Sequence, residues 1–365
     1  MPSILQTEEI DALARQLRIE PHPIRRLRTR YFKQQWSAAD ALAEIPEDLR
    51  ESFASQVEFQ HLQLDQRHDS QLDGASKLLF QTQDGYRIES VILRVMTGRT
   101  SLCISSQIGC AANCDFCATG KMGIAKQLTS VQILDQIVQA NQILLKEDRK
   151  VRNIVFMGMG EPLHNEDEVS AAIAQLIDPY GFAHTPRRVL VSTVGIPDAM
   201  IRFANRFPQV NMALSLHSAV QATRESIIPL AAKHSLAEIR AALVEIDKLQ
   251  KQPLMIEYLM LHGVNDSEAE CDALHEFLKG LKVHINLIPY NAIEDAPHLT
   301  GTAKAGQESF STRLKQLGHT VTIRYSLGAD IAAACGQLVR GENRKIAADR
   351  RELISLERSE AENAK

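Results

Sequence analysis

The sequence carries six cysteines, and four of them, Cys103, Cys110, Cys114 and Cys117, fall within 15 residues. The last three form C-x3-C-x2-C in the run QIGCAANCDFC ending at Cys117. Three thiolates this close in one loop can ligate three irons of a [4Fe-4S] cubane. The fourth iron then keeps an open position, as a catalytic metal site requires. Gly109, Gly120 and Gly123 would let the backbone turn tightly around a bulky inorganic core. Zinc is the competing chemistry, because Cys103 would complete four thiolates. However, Cys103 stands well ahead of Cys110 on an expected strand, and structural zinc sites usually take their ligands from closely spaced pairs. Disulfides are disfavoured in a chain with no export signal.

Other polar groups recur at the ends of apolar runs. Gly160 and Glu161 follow the run ending at Met157, Ser192 closes a third run, and Ser215-Leu216-His217-Ser218 closes a fourth. Pro289-Tyr290-Asn291 closes a sixth. Any one of them could be a cap or turn. At corresponding ends of successive strands, they are better explained by one ligand lying across them. His217 taken alone reads equally well as a structural histidine. Cys335, in GADIAAACGQL, reads by itself as a small buried hydrophobe, as does Cys271 in the helical pattern 267–281.

From about residue 86, short β-rich runs (101–105, 151–157, 189–193, 210–216, 254–261, 284–289 and 320–325) alternate with amphipathic helical patterns such as 131–146. This alternation predicts parallel strands with helical crossovers. About six βα units are too few for an eight-unit barrel, so the expected architecture is an α/β partial barrel, with a doubly wound sheet second. In either, chemistry belongs at the C-terminal strand ends. Residues 1–85 read as mostly helical, 86–341 as the barrel and 342–365 as a charged tail. Between residues 21 and 37 lie five cations and no acid, interleaved with Tyr31, Phe32 and Trp36. This is either a solvated helix face over a small core or a nucleic-acid contact.

The chain has 365 residues, 44% hydrophobic and 24% charged, with a net charge of −4. This composition excludes low-complexity disorder as the main state and offers no global field for nucleic acid. No apolar run is long enough for a membrane helix, and the acidic N-terminus does not read as a secretory signal. Cytoplasmic location is expected.

The cysteine loop resembles that of the radical S-adenosylmethionine (SAM) superfamily, in which the open iron binds SAM and one electron splits it to a 5′-deoxyadenosyl radical. Phe116 fits that superfamily's usual aromatic. CISSQIGCAANCDFCATGKMG, FMGMGEPL, SLHS, INLIPYN and DIAAACGQL, in this order, resemble the RlmN/Cfr family of radical SAM 23S rRNA adenine methyltransferases. The N-terminal stretch resembles that family's helical accessory domain.

The resemblance implies a partial (β/α)6 radical SAM barrel with one [4Fe-4S] cluster held by Cys110, Cys114 and Cys117. It implies two SAM per turnover, bound through Gly160, Glu161, Ser192, Ser215, Leu216, His217 and Asn291. It implies a Cys335 S-methyl intermediate, Glu89 as proton acceptor, and Cys103 as the resolving thiol that forms a transient disulfide with Cys335. The implied partners are 23S rRNA, with a tRNA adenosine as a further substrate, and a flavodoxin- or ferredoxin-like electron donor. Carbon 2 of adenine is favoured over carbon 8, the position associated with antibiotic resistance. Asp115 departs from relatives that often carry Lys or another polar residue there. The alternatives are a radical SAM enzyme with another substrate and a zinc-stabilised, non-catalytic RNA-binding protein.

Overall fold

Helix starts are written plainly in the first 54 residues. α1 (Thr7–Gln16) has Glu8 and Glu9 in its first turn, and α2 (Pro21–Arg28) opens on prolines. α2 continues through a π-helical turn, Thr29–Lys33. Ser37 caps α3 (Ala38–Leu42) by accepting from Asp40 N, and Pro46 precedes α4 (Glu47–Ala54). The structure is a computed structural model that describes residues 1–122, 126–338 and Asn343. Gly123 and, Asn343 aside, the 342–365 tail lie outside the described residues.

The basic segment 21–37 packs in the way a helix face over a small core would. Tyr31 and Phe32 are buried, Tyr31 Oη donates to Phe59 O, and Phe32 stacks on Phe182. Arg26 and Arg30 pair with Glu44, and Arg28 pairs with Asp11. Arg30 also lies 4.2 Å over the Trp36 ring. Base stacking on Tyr31 and Phe32 is therefore ruled out, because core packing takes both rings.

The helical expectation for residues 1–85 holds to Ala54 and fails beyond it. β1 (Leu62–Asp69) and β2 (Ala75–Thr82) are strands that pair antiparallel, and β2 continues into β3 (Arg87–Arg94) and β4 (Thr100–Cys103). LQLDQRHD in β1 has no apolar alternation and is almost wholly exposed. Its strand state comes from edge pairing to β2, a tertiary effect that local propensity does not encode.

After β4 the chain forms a small ribbon of β5 (Gln107–Ile108) and β6 (Lys126–Gln127) around α5 (Ala118–Met122). Strand–helix alternation follows: α6 (Ser130–Leu145), β7 (Asn153–Phe156), α7 (Glu166–Ile177), β8 (Val189–Thr193), α8 (Pro197–Arg206) and β9 (Asn211–Ser215). Then come α9 (Gln221–Ile227), α10 (Leu236–Leu249), β10 (Leu254–Met260), α11 (Glu268–Leu278), β11 (Val283–Pro289), α12 (Lys304–Gln316) and β12 (Thr320–Ile323). The ten-stranded sheet runs β1-β2-β3-β4-β7-β8-β9-β10-β11-β12, and β4 through β12 pair in parallel. This sequential order is that of a barrel wall; a doubly wound sheet reverses its order at a switch point. The wall curls: Arg324, just past β12, reaches Met157 just past β7, with Nη1–Sδ at 3.8 Å. All seven expected strand runs coincide with β4 and β7–β12. Among the described residues no helix is long and apolar enough to cross a membrane.

Asp135 on α6 ties the first strand to this wall. Its Oδ2 accepts from His61 N and Leu62 N, both at 2.8 Å, and from Gln139 Nε2 at 3.0 Å, while Oδ1 is buried without a hydrogen bond. Burial raises Asp135 to about 6, against the hydrogen bonds that favour the anion. The folded state therefore holds this proton more tightly than the unfolded chain, whose aspartate titrates near ~3.9. The stabilisation is present below that value and is lost as pH rises through about 6. Asp135→Asn can keep all three bonds on its one oxygen. We predict that its stability relative to wild type improves between pH 4 and 7 by about 2–3 kcal/mol, as read by urea unfolding.

Candidate active site

The loop after β4 is shaped by close backbone contacts. Gly109 has φ +85° and Asn113 φ +52°, and Cys117 N donates to Cys114 O at 3.2 Å. Asp115 N donates to Ile227 O at 2.9 Å, which fastens the loop to the end of α9. Cys110 and Cys114 are buried and Cys117 is partly buried. All three line one cavity of about 150 Å³ at the C-terminal ends of the strands. Burial pushes the Cys110 thiol up to about 12 and Cys114 well above its ordinary range, and neighbouring thiols and Glu161 add to both. Three thiolates here need compensating positive charge, which an iron–sulfur cluster's metal ions supply.

The cavity's far wall comes from successive strand ends: Gly160 and Glu161, Ser192, Ser215 and His217. Gly160 has φ +101°, and a Cβ there would stand 2.5 Å from Gln107 Cβ, so only glycine fits without movement. Glu161 is buried; its Oε1 accepts from Leu163 N at 2.9 Å and its Oε2 from Val194 N at 2.8 Å. Burial raises it to about 7 despite these donors. Ser192 Oγ and Ser215 Oγ lie 3.1 Å apart. His217 is buried at φ +60°; its Nδ1 accepts from Leu259 N at 3.0 Å, and its ring meets Phe116 edge-on. Burial, then Arg224, lowers His217 to about 3, so the ring is neutral. Leu216 and Asn291 do not line this cavity. Leu216 is buried in the main core, and Asn291 Nδ2 instead donates to Cys335 O at 3.2 Å.

Cys103 meets Cys335, which also lines the triplet's cavity. Both line a second cavity of about 210 Å³ with Val91, Met157 and Arg324. Cys103 therefore does not close a four-thiolate zinc site. Cys335 is exposed, contrary to the buried-hydrophobe reading, whereas Cys271 is buried in the core as expected. Burial raises Cys103 to about 12, the Cys335 thiol adds to that, and Arg324 acts in the opposite sense. The loop bearing Cys335 docks on the cluster loop through Ala118 N to Gly336 O at 2.8 Å. It is also held by the β1–β2 turn, where Gly328 N donates to Asp73 Oδ2 at 2.8 Å and Ser70 Oγ to Asp330 Oδ1 at 2.8 Å. Glu89 is buried on β3, on the face shared by Val91, Lys77 and Cys103. Lys77 Nζ lies 3.7 Å from Glu89 Oε1 and donates to Ala332 O at 3.2 Å.

Sequence reasoning missed three charged groups. Arg324 lines both cavities and sits 3.5 Å from Glu257 Oε2, and buried Lys77 bridges Glu89 to the Cys335 loop. Glu257 alone carried a signal, as a carboxylate inside the apolar strand LMIEYLM.

A model of the radical SAM superfamily matches residues 104–273. A probable RNA methyltransferase of Rhodopirellula baltica is 55% identical, with 96% of this chain and 91% of that protein covered. A probable dual-specificity RNA methyltransferase RlmN of Thermus thermophilus is 41% identical (81% and 83% covered). The ribosomal RNA large subunit methyltransferase Cfr of Staphylococcus warneri is 36% identical (86% and 90% covered). The chain belongs to the RlmN/Cfr family of radical SAM RNA methyltransferases. The crystal structure of a radical SAM methyltransferase from Sphaerobacter thermophilus superposes with a TM-score of 0.86 at 34% identity, with 91% of this chain and 96% of that chain covered. Family membership implies a [4Fe-4S] cluster and SAM. The residues present fit both, since three thiols and the polar strand ends face one cavity. It also sets aside the non-catalytic zinc reading.

Gly120 in α5 is the tightest point of this loop, because a Cβ there would stand 2.9 Å from Cys114 N and 3.0 Å from Cys114 O. Gly120→Ala must displace a ligand-bearing backbone. We expect iron and sulfide per chain after anaerobic reconstitution to fall below about half of wild type, with far-UV circular dichroism unchanged.

Proposed function

We propose that this enzyme methylates a ring carbon of an adenosine in 23S rRNA through a methyl group carried on Cys335, with carbon 2 favoured and a tRNA adenosine as a second substrate. The observation that carries the reading is the meeting of Cys335 and Cys103 in one cavity that adjoins the cluster-loop cavity. An adenine ring carbon flanked by nitrogens is electrophilic, so it cannot act as the nucleophile that polar methyl transfer requires. When bound, the cluster and SAM supply both a methyl donor and a hydrogen-abstracting radical.

The chain's own residues do the rest. The Cys335 thiolate accepts a methyl group. After loss of one hydrogen atom, the carbon on Cys335 sulfur bonds to the adenine, giving a covalent protein–RNA adduct. One electron must leave the adduct, to the cluster when bound, and Glu89, held beside Lys77, takes the ring proton. The Cys103 thiolate then attacks Cys335 sulfur, the sulfur–methylene bond breaks and the released carbon takes up a proton, leaving a disulfide and the methylated base. Gly160, Glu161, Ser192, Ser215 and His217 orient SAM, with Leu216 and Asn291 contributing through the backbone and the rim. Arg324 stands beside both thiols and favours their ionised forms.

The relatives' names support RNA as substrate, and the dual-specificity description supports a second RNA. We place the enzyme in the cytoplasm, served by a flavodoxin- or ferredoxin-like donor, because the radical step needs an external electron. The Cfr relative makes carbon 8 the second reading. Digestion of a methylated 23S rRNA fragment, with mass spectrometry against 2-methyl- and 8-methyladenosine standards, separates the two.

We expect Cys335→Ala to keep the cluster and SAM cleavage while RNA methylation falls at least 1,000-fold, roughly the loss expected when a covalent catalyst is removed. Retained methylation would reject Cys335 as carrier. Glu89→Gln should stall after bond formation, so that a Cys335-linked RNA band accumulates on denaturing gels.

A further inference from the structure

The N-terminal ends of the strands face away from the reaction cavity, and three neighbouring ones begin alike. Arg99 precedes β4, Arg152 precedes β7 and Arg188 precedes β8. Arg152 N donates to Thr100 O at 2.9 Å, and Ile154 registers with Val189, so these arginines project from adjacent strand starts. Neighbouring strands lie about 4.8 Å apart. Lys150 and Arg187 are exposed beside them, as are Arg152 and Arg188, and Arg149 is partly buried with Nη1 3.5 Å from Gly98 O. His184 lies among them. Burial, then Arg188 and more weakly Lys150, lowers it to about 4, and it contacts the Arg152 main chain.

Among the described residues, none of the six Arg and Lys side chains has a carboxylate partner. Of the two acids that precede Arg149, Glu147 is taken by Arg94 and Arg67, and exposed Asp148 pairs with none of the six. Some arginines elsewhere are paired, as Arg202 is with Glu166 and Arg313 with Asp272, and others such as Arg15 and Arg206 stand without an ion pair among the described residues but apart from one another; here six cations gather on one face. In a chain of net charge −4, six cations without carboxylate partners at neighbouring strand starts repel one another, and the neutral acceptors that Arg99 and Arg149 find do not offset their charge. A polyanion removes that cost.

We propose that this basic face is a second RNA-binding surface, which grips phosphates of the substrate RNA at the end of the barrel opposite the reaction cavity. It rests on RNA being the substrate. Strands of four to seven residues put the face about 15–20 Å from the cavity. A short stem-loop seated in the cavity would not reach it, whereas a large folded RNA would. The bonds are charge-to-phosphate and read no sequence. The face would therefore favour large structured RNA without choosing the adenosine.

The test uses the cluster-loaded enzyme carrying Lys150→Gln, Arg152→Gln, Arg187→Gln and Arg188→Gln together. It compares a long 23S rRNA fragment with a short stem-loop holding the same adenosine, with a chemical reductant. We expect KM for the long RNA to rise at least about ten-fold near physiological salt, and the log–log salt slope of its binding to fall by about 2 or more. Both kcat and the stem-loop KM should stay within about two-fold. Unchanged KM and salt slope on the long RNA would overturn the proposal. So would an equal loss on both RNAs, or a loss seen only when a protein donor replaces the chemical reductant, which would assign the face to that donor. If neither RNA is methylated while SAM is still cleaved, the substrate reading has failed. Direct titration of the long RNA against wild type and variant still decides whether the face binds it.

Discussion

Crowding three thiols beside a buried carboxylate is the constraint on which this structure turns. Burial pushes each group toward its neutral form, and at Cys110 and Cys114 the neighbouring thiols and Glu161 add to it, so the site as protein alone disfavours the thiolates that metal ligation needs. Metal ions supply the missing positive charge, and the loop is built around that requirement. Glycine at position 120 lets backbone approach Cys114, and the loop is fastened at Ile227 and Gly336. The polar groups of the far wall are held by main-chain donors and by each other, so a ligand entering the cavity meets a wall that is already oriented.

A second requirement is met differently. Cys335 lines both the cluster-loop cavity and the one it shares with Cys103, and its loop is held by contacts from distant parts of the chain. The β1–β2 turn, Lys77, Asn291 and the start of α5 each contribute between one and three hydrogen bonds. Gly328, Ala332 and Gly336 all have positive φ within nine residues. Ala333, Ala334 and Leu338 are buried while Cys335 itself is exposed, so the loop is anchored on both sides of the thiol it presents. The antiparallel strands ahead of the barrel thereby help position the Cys335 loop, through Asp73 and Lys77.

Much of this was legible in the sequence because the signals are local. C-x3-C-x2-C is a spacing, and spacing alone brings three thiols into one loop. The parallel strands are short apolar runs separated by amphipathic helices, so periodicity reveals them. Glycine at 160 marks a close approach, and the strand-end serines and His217 fall where a shared ligand would lie. The resemblance to a known family supplied the roles of Glu89, Cys103 and Cys335, which nothing local to those residues would assign.

What tertiary structure decided is what depends on partners far away in the chain. β1 is polar and becomes a strand only because β2 offers it an edge. Tyr31 and Phe32 sit in a basic segment and could have met bases, but packing against Phe59 and Phe182 consumes them. Arg324 and Lys77 gain their places beside the thiols and Glu89 only when the sheet curls and its antiparallel edge folds alongside. The row of unpaired arginines exists only once three separate strand starts lie side by side. Sequence determines which groups share a loop or a face, since backbone periodicity is local; which faces meet is decided when the chain closes on itself.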